Sequence, residues 1–283
     1  MRAVIIGSNG QLGTDLVQSG KELSGFEIVP HTRSECDITN SESVIEYLSS
    51  ISPDIIINTA AYHKTDECED NPSLSFDVNA TAVKVLSEFS NMTGAVLCHI
   101  STDYVFGGSE NRKDPYTESS NACPINTYGI SKLAGEEFLK SYCEKQYLFR
   151  ISSVFGKAGA SGKGTNFVYT MLNLAKERDE LTIIDDIVMT PTYTVDAAKK
   201  IWEIVDQNFE FGTYHVANSG RCTWHEFADE IFKSANIDVK LKPVTHLEYP
   251  TKAKRPLWSP ISSEKGTENR PWQEAIAEFV GSL

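Results

Sequence analysis

The chain has 283 residues, 40% hydrophobic and 23% charged, with a formal net charge of −13. That length carries one large α/β unit, or two smaller ones, around a substantial core. The acidic balance, with no dominant basic face, excludes a nucleic-acid binder, and no apolar run approaches the roughly 20 residues of a membrane span.

The first apolar stretch, Ala3–Ile6, is too short for a signal peptide and runs straight into a glycine turn. A cytoplasmic chain is expected, its six scattered cysteines free thiols. Ala3–Ile6, Glu27–Pro30, Ile55–Asn58, Val96–Ile100 and Tyr147–Arg150 are short, continuous apolar runs, as in strands buried on both faces of a parallel sheet. Between them, Leu12–Ser19, Ser41–Ser50, Val78–Asn91 and Thr127–Glu144 have helical spacing. This alternation predicts an α/β fold with a doubly wound parallel sheet.

Beyond residue 155 the pattern changes. Gly156–Gly164 reads as a glycine-rich mobile loop, followed by a helix over Asn166–Lys176 and a strand over Leu181–Ile184. Thr194 is expected to cap a helix reaching Gln207. Cys222 and His225 have the spacing of half a zinc site, but Thr223-x-x-Glu226 is a capping box that explains the segment without metal. A last helix runs from Trp272 to Val280. The expected division is 1–155 plus about 190–217 as a nucleotide-binding unit, and about 156–189 plus 218–283 as a smaller mixed α/β unit.

Gly7-Ser8-Asn9-Gly10-Gln11-Leu12-Gly13 is G-x-x-G-x-x-G between a strand and a helix. Glycines permit the tight turn and let a diphosphate approach the backbone, and the helix N-terminus supplies free amides. The segment therefore predicts a nicotinamide dinucleotide site. After the second strand, Arg33 stands where an acid selects NAD, so pairing with a 2′-phosphate favours NADPH, with NADH as the alternative. Asp37 and Ile38 are expected near the adenine ring, and small Thr59, Ala60 and Ala61 leave room for the cofactor at the third strand end.

Tyr128 and Lys132 form Tyr-x3-Lys, which places both on one helix face. An ammonium beside a phenol is expected to lower its pKa, readying it to exchange a proton with a carbonyl oxygen. The fourth strand ends in Ser101-Thr102-Asp103-Tyr104, and the Thr102 hydroxyl is well placed to hold the same oxygen. Glycine loop, strand-end hydroxyl and helical Tyr/Lys occur in the right order. Together they predict catalysis by Thr102, Tyr128 and Lys132.

These segments resemble the extended short-chain dehydrogenases and, within them, the dTDP-4-dehydrorhamnose reductase family. The resemblance spans nearly the whole chain; Ser101–Phe106 and Tyr128–Glu136 carry it most specifically, supported by Pro115–Glu118, Asn166–Ala175, Pro191-Thr192 and Arg255-Pro256. It implies a Rossmann domain with a small C-terminal substrate domain. The implied reaction is NADPH-dependent reduction of the 4-keto group of a nucleotide-diphospho-6-deoxysugar. By the same likeness, Thr102, Asp103, Tyr104, Phe106, Ser153, Asn166 and Arg255 contact substrate, and members commonly form homodimers. Some members carry magnesium, but Asp15 is the only candidate ligand and no metal is assigned.

Departures fall on the substrate side. Ser153 stands where the family has tryptophan, Asp186–Thr192 lacks its glutamine and glycine, and Trp258 replaces an asparagine. His63 and Thr65 replace small or apolar residues. A cluster of Lys252, Lys254 and Arg255 suits a diphosphate, with Arg255 the favoured contact. A dehydratase or epimerase is disfavoured, since Tyr104 follows Asp103 where dehydratases carry a glutamate. A reductase of another nucleotide-linked ketosugar, and a non-catalytic module like the regulatory subunit of methionine adenosyltransferase, remain the alternatives.

Overall fold

A computed structural model describes residues 1–109, 112–160 and 165–283. The expected alternation appears in chain order: β1 (Arg2–Ile6), α1 (Gln11–Lys21), β2 (Glu27–His31), α2 (Ser41–Ile51) and β3 (Ile55–Asn58). Two short helices follow, α3 (Thr65–Asp70) and α4 (Pro72–Phe76). Sequence periodicity missed both; α3 is TDECED, whose one apolar residue, the buried Cys68, makes no stripe to read. The predicted helix over Val78–Asn91 is a π-helical turn, Asp77–Thr81, continuing into α5 (Ala82–Thr93). Then come β4 (Val96–Thr102), α6 (Thr127–Tyr142) and β5 (Gln146–Ile151).

The sheet is parallel throughout and includes a further strand, β10 (described below), in the order β10-β5-β4-β3-β1-β2. The chain leaves β1 toward β2 on one side and returns to β3 on the other. A cleft therefore opens at the carboxyl ends of β1 and β3. In-register pairs Ile6↔Asn58 and Asn58↔His99 align those ends, so Gly7, Thr59 and Thr102 share one edge.

Side chains alternate between the two faces. Ala3 and Ile5 pack with Leu16, Ile201 and Trp202, whereas Val4 and Ile6 pack with Leu48, Leu86 and Phe89. Each layer removes apolar area worth about 25 cal/mol per Å² from water.

The smaller C-terminal part has its own core. Its elements interleave with the sheet's last pieces: β6 (Val154–Phe155), α7 (Phe167–Leu174), β7 (Glu180–Ile184), β8 (Val188–Met189) and β9 (Thr192–Tyr193). α8 (Thr194–Asp206) and β10 (Gly212–His215) return to the sheet. β11 (Asn218–Ser219), β12 (Cys222–Thr223), α9 (Trp224–Ala235), β13 (Lys240–Val244), β14 (Asn269–Pro271) and α10 (Trp272–Gly281) complete the chain. Phe155, Met171, Phe227, Ile231, Trp272 and Phe279 form the core they enclose.

Thr223 makes the predicted capping box: its Oγ accepts from the Glu226 amide at 3.0 Å, and its own amide donates to Glu226 at 2.8 Å. Thr194 does not cap α8. Tyr193 takes that position, and the Thr194 hydroxyl donates to the Phe155 carbonyl at 3.1 Å. Residues 161–164 of the predicted glycine loop lie outside the described residues.

Candidate active site

Gly7 turns the chain out of β1 with φ +79, where a Cβ would stand 2.6 Å from the Thr59 hydroxyl and 3.0 Å from the Ala60 nitrogen. At Gly13 a Cβ would lie 2.2 Å from the Gly7 carbonyl, so glycine is what allows α1 to start against the turn. The α1 N-cap is Gly10, with no side chain to satisfy the first amides. Those of Gln11, Leu12 and Gly13 have no intrahelical acceptor and face whatever lies at the helix start.

In front of them runs a cleft of about 450 Å³. Gly7, Asn9, Gly10, Thr59, Ala60 and Ala61 line it on the strand-end side, and Arg33, Asp37 and Ile38 beside β2. A long cleft across the switch point, with an uncapped helix and no Cβ at its floor, fits a nicotinamide dinucleotide. The side chains of Gln11 and Leu12 contribute elsewhere. Leu12 is in the core, and Gln11 accepts from Asn166 at 2.8 Å. Arg33 is largely exposed and pairs with Asp37 at 2.7 Å, while Asp37 also accepts from the Thr39 amide at 3.0 Å. The Asp37 carboxylate thus orients Arg33 at the cleft edge.

The residues expected to be catalytic meet at the end of β4. Asn126 caps α6 by accepting from the Gly129 amide at 2.8 Å, and Glu69 of α3 accepts from the Thr127 amide and hydroxyl. This anchoring brings the Tyr128 ring edge-on to Tyr104, 5.8 Å between centroids, on the Thr102 side of the turn after β4. Burial pushes the Tyr128 phenol above its ordinary range, and the Thr102 contact opposes the shift.

The expected ammonium effect is absent. Lys132 is fully buried and turns to β4 instead, donating to the Ile100 carbonyl at 2.6 Å with His99 Nε2 at 3.1 Å. Burial lowers Lys132 to about 7, against the opposing pull of Glu136. A phenol that keeps its proton at neutral pH is nonetheless the form a proton donor requires.

Three expected substrate contacts are corrected. Phe106 is wholly buried, stacked on Tyr116 at 4.2 Å, and has no surface to offer. Asp103 is 2% exposed and accepts from Ser259 at 2.6 Å and from Thr102 at 3.2 Å. Asn166 caps α7 through Oδ1, and its Nδ2 donates to Gln11 and to the Gly156 carbonyl. Their polar atoms are spent inside the protein.

Tyr104, whose ring meets Tyr128, stays an expected contact together with Ser153 and Arg255. Ser153 stands just past β5 with φ +41, a left-handed conformation rare for serine. Arg255 pairs with Asp66 of α3 at 2.7 Å, and the Ala253 amide donates to the same carboxylate. Lys252 pairs with Asp70, and Asn126 donates to the Lys254 carbonyl. A strap over Lys252–Ser259 is thereby clipped across the site. Sequence reasoning assigned no role to Asp66, Glu69, His99, Asn126 or Ser259.

A family profile described as RmlD substrate binding domain matches residues 1–283. The dTDP-4-dehydrorhamnose reductase of Escherichia coli (strain K12) is 37% identical over 302 residues, covering 100% of this chain and 98% of that protein.

The chain belongs to the dTDP-4-dehydrorhamnose reductase family.

Solved family structures agree along the whole length. The enzyme of that name from Clostridium acetobutylicum matches with a TM-score of 0.93 at 38% identity, over 100% of this chain and 99% of that one. The Bacillus anthracis enzyme, solved in complex with NADP, matches with a TM-score of 0.92, also at 38% identity, over 100% and 99%. For this family member the Rossmann fold, with its smaller C-terminal domain, is therefore shown.

Proposed function

We propose that this chain uses NADPH to reduce the 4-keto group of a nucleotide-diphospho-6-deoxysugar, converting dTDP-4-dehydrorhamnose to dTDP-rhamnose. The observation that carries the reading is the meeting of Thr102 and Tyr128 at the end of β4, beside the dinucleotide cleft of a family member. NADPH, when bound, supplies hydride to the carbonyl carbon. Tyr128 gives its proton to the carbonyl oxygen, and solvent later restores it. The Thr102 hydroxyl holds that oxygen in line with the phenol. Arg255, already oriented by Asp66, grips the diphosphate. Gly7, Asn9, Gly10 and the α1 N-terminus hold the cofactor phosphates, Thr59–Ala61 pass its ribose and nicotinamide, and Arg33 reads the 2′-phosphate.

The test is loss of nicotinamide absorbance on mixing purified protein, NADPH and dTDP-4-dehydrorhamnose, with NADH in parallel. Rapid oxidation is expected, faster with NADPH. NADPH binding without oxidation would move the substrate to another nucleotide-linked ketosugar.

The compartment proposed is the cytoplasm, which suits six free cysteines. Among the described residues no helix is long and apolar enough to cross a membrane. A homodimer is proposed from the family resemblance. Residues 1–155 with about 190–217 are assigned to cofactor, and about 156–189 with 218–283 to substrate; a second core supports two units, although Phe155 and Tyr193 also join it.

A further inference from the structure

Beneath the Tyr/Lys face lies a polar chain that the proposed reaction leaves unused. His99 sits mid-strand in β4, fully buried. Its Nε2 is 3.1 Å from Lys132 Nζ, and its Nδ1 is 3.3 Å from Asn58 Nδ2. Asn58, also fully buried, ends β3 and accepts from the Ala60 amide through Oδ1 at 3.1 Å. Ala60 lines the dinucleotide cleft. A continuous path thus runs from the Lys132 amine to the backbone turn that faces the cofactor.

The hydrogens in this path are determined. The Ala60 amide fixes which Asn58 atom is oxygen, so the atom facing His99 is the NH2 group, a donor only. His99 Nδ1 must then accept, and the proton of a neutral imidazole must sit on Nε2. Nε2–H points at Lys132. An ammonium has no lone pair to receive it, whereas a free amine accepts it and still donates to the Ile100 carbonyl.

A doubly protonated imidazole would set a donor against the Asn58 NH2, and burial disfavours that form strongly. The acid acting on Lys132 from its own helix is Glu136, one turn on. That carboxylate is already taken by Arg150 at 2.6 Å and by the Ser101 hydroxyl. Burial likewise favours the free amine.

We propose that His99 is a positioning residue: as the Nε2–H tautomer it holds Lys132 as an uncharged amine, and cofactor binding charges that amine. The second half rests on the dinucleotide reading of the cleft. An anionic cofactor brought beside a buried amine favours its cationic form, and the added proton comes from solvent. Charging Lys132 breaks the Nε2–H contact, so His99 must change tautomer or release Asn58. The Ala60 turn and the Lys132 charge are therefore coupled through one ring.

Two measurements test this. The first uses cofactor-free protein with 15N-labelled histidine, in which two-bond proton–nitrogen correlations separate the tautomers and His99→Gln identifies the signals. Protonated Nε2 with bare Nδ1 is expected; protonated Nδ1 would overturn the proposal. The second counts protons taken up per NADPH bound at pH 8, from binding heats in buffers of different ionisation enthalpy. Uptake approaching about one proton per site is expected, and near zero in Lys132→Met. Zero uptake by the unaltered protein, with NADPH bound, would overturn the charging step. NADPH that fails to bind would overturn the cleft reading and the coupling with it, while the tautomer still decides what His99 does to Lys132.

Discussion

The Asp103 carboxylate accepts a 2.6 Å hydrogen bond from the Ser259 hydroxyl, joining the turn after Thr102 to the strap 156 residues later. Burial raises Asp103 to about 6, against the pull of its hydroxyl partners. An unfolded chain releases this proton near 3.8. Between those values the folded state holds the extra proton, so stability falls as pH rises through the window, by on the order of 3 kcal/mol. In Asp103→Asn that contribution vanishes. Melting temperatures from pH 4 to about pH 6 should therefore fall less in the variant than in the parent. Parallel profiles would show that Asp103 does not titrate there.

Tyr128→Phe removes the proton donor and little volume. Turnover should drop roughly 10²- to 10⁴-fold, with NADPH affinity by fluorescence unchanged. A variant that keeps its rate would take the phenol out of the mechanism.

Gly129 separates Tyr128 from the rest of its helix, and a Cβ there would stand 2.1 Å from the Tyr104 carbonyl. Gly129→Ala should cost about 1–3 kcal/mol of stability by overpacking. Because the shift falls between Tyr104 and Tyr128, kcat should suffer more than NADPH binding. Denaturant melts and steady-state kinetics on one preparation separate the two effects.

Arg33 meets the cofactor only at the 2′-position in the proposed arrangement. Arg33→Ala should weaken NADPH binding by roughly tenfold and leave NADH binding unchanged, the difference being one charge-assisted contact of about 1.5 kcal/mol. Equal losses for both cofactors would assign Arg33 to the β2 edge alone, through its tie to Asp37.

Much of this molecule was legible where residue type and backbone geometry coincide. Gly7 and Gly13 must lack a Cβ, the apolar runs of β1, β3, β4 and β5 are buried as expected, and Thr223 with Glu226 must cap a helix, whereas Glu27–Pro30 lies half exposed at the sheet edge. What stayed hidden depends on distant partners. Gly212–His215 becomes an edge strand only because β5 offers it a partner, and TDECED becomes a helix whose acids hold Thr127 and Arg255. Phe106 and Asn166 belong to motifs that resemble substrate contacts, yet packing turns them inward. The expected Lys132 effect on Tyr128 failed because helical spacing gives a shared face but not where a long side chain ends.

Tyr128, Lys132 and Glu136 stand four residues apart along one stripe of α6. Glu136 is fully buried, held by Arg150 through two hydrogen bonds and by Ser101. Slipping the helix by one residue would rotate it about 100° and pull that carboxylate out of its socket in the sheet. A charge pair that never meets the reactants therefore acts as a keyway, fixing the azimuth at which phenol and amine are presented. Mutations elsewhere on α6 can loosen its packing without turning the stripe away from β4.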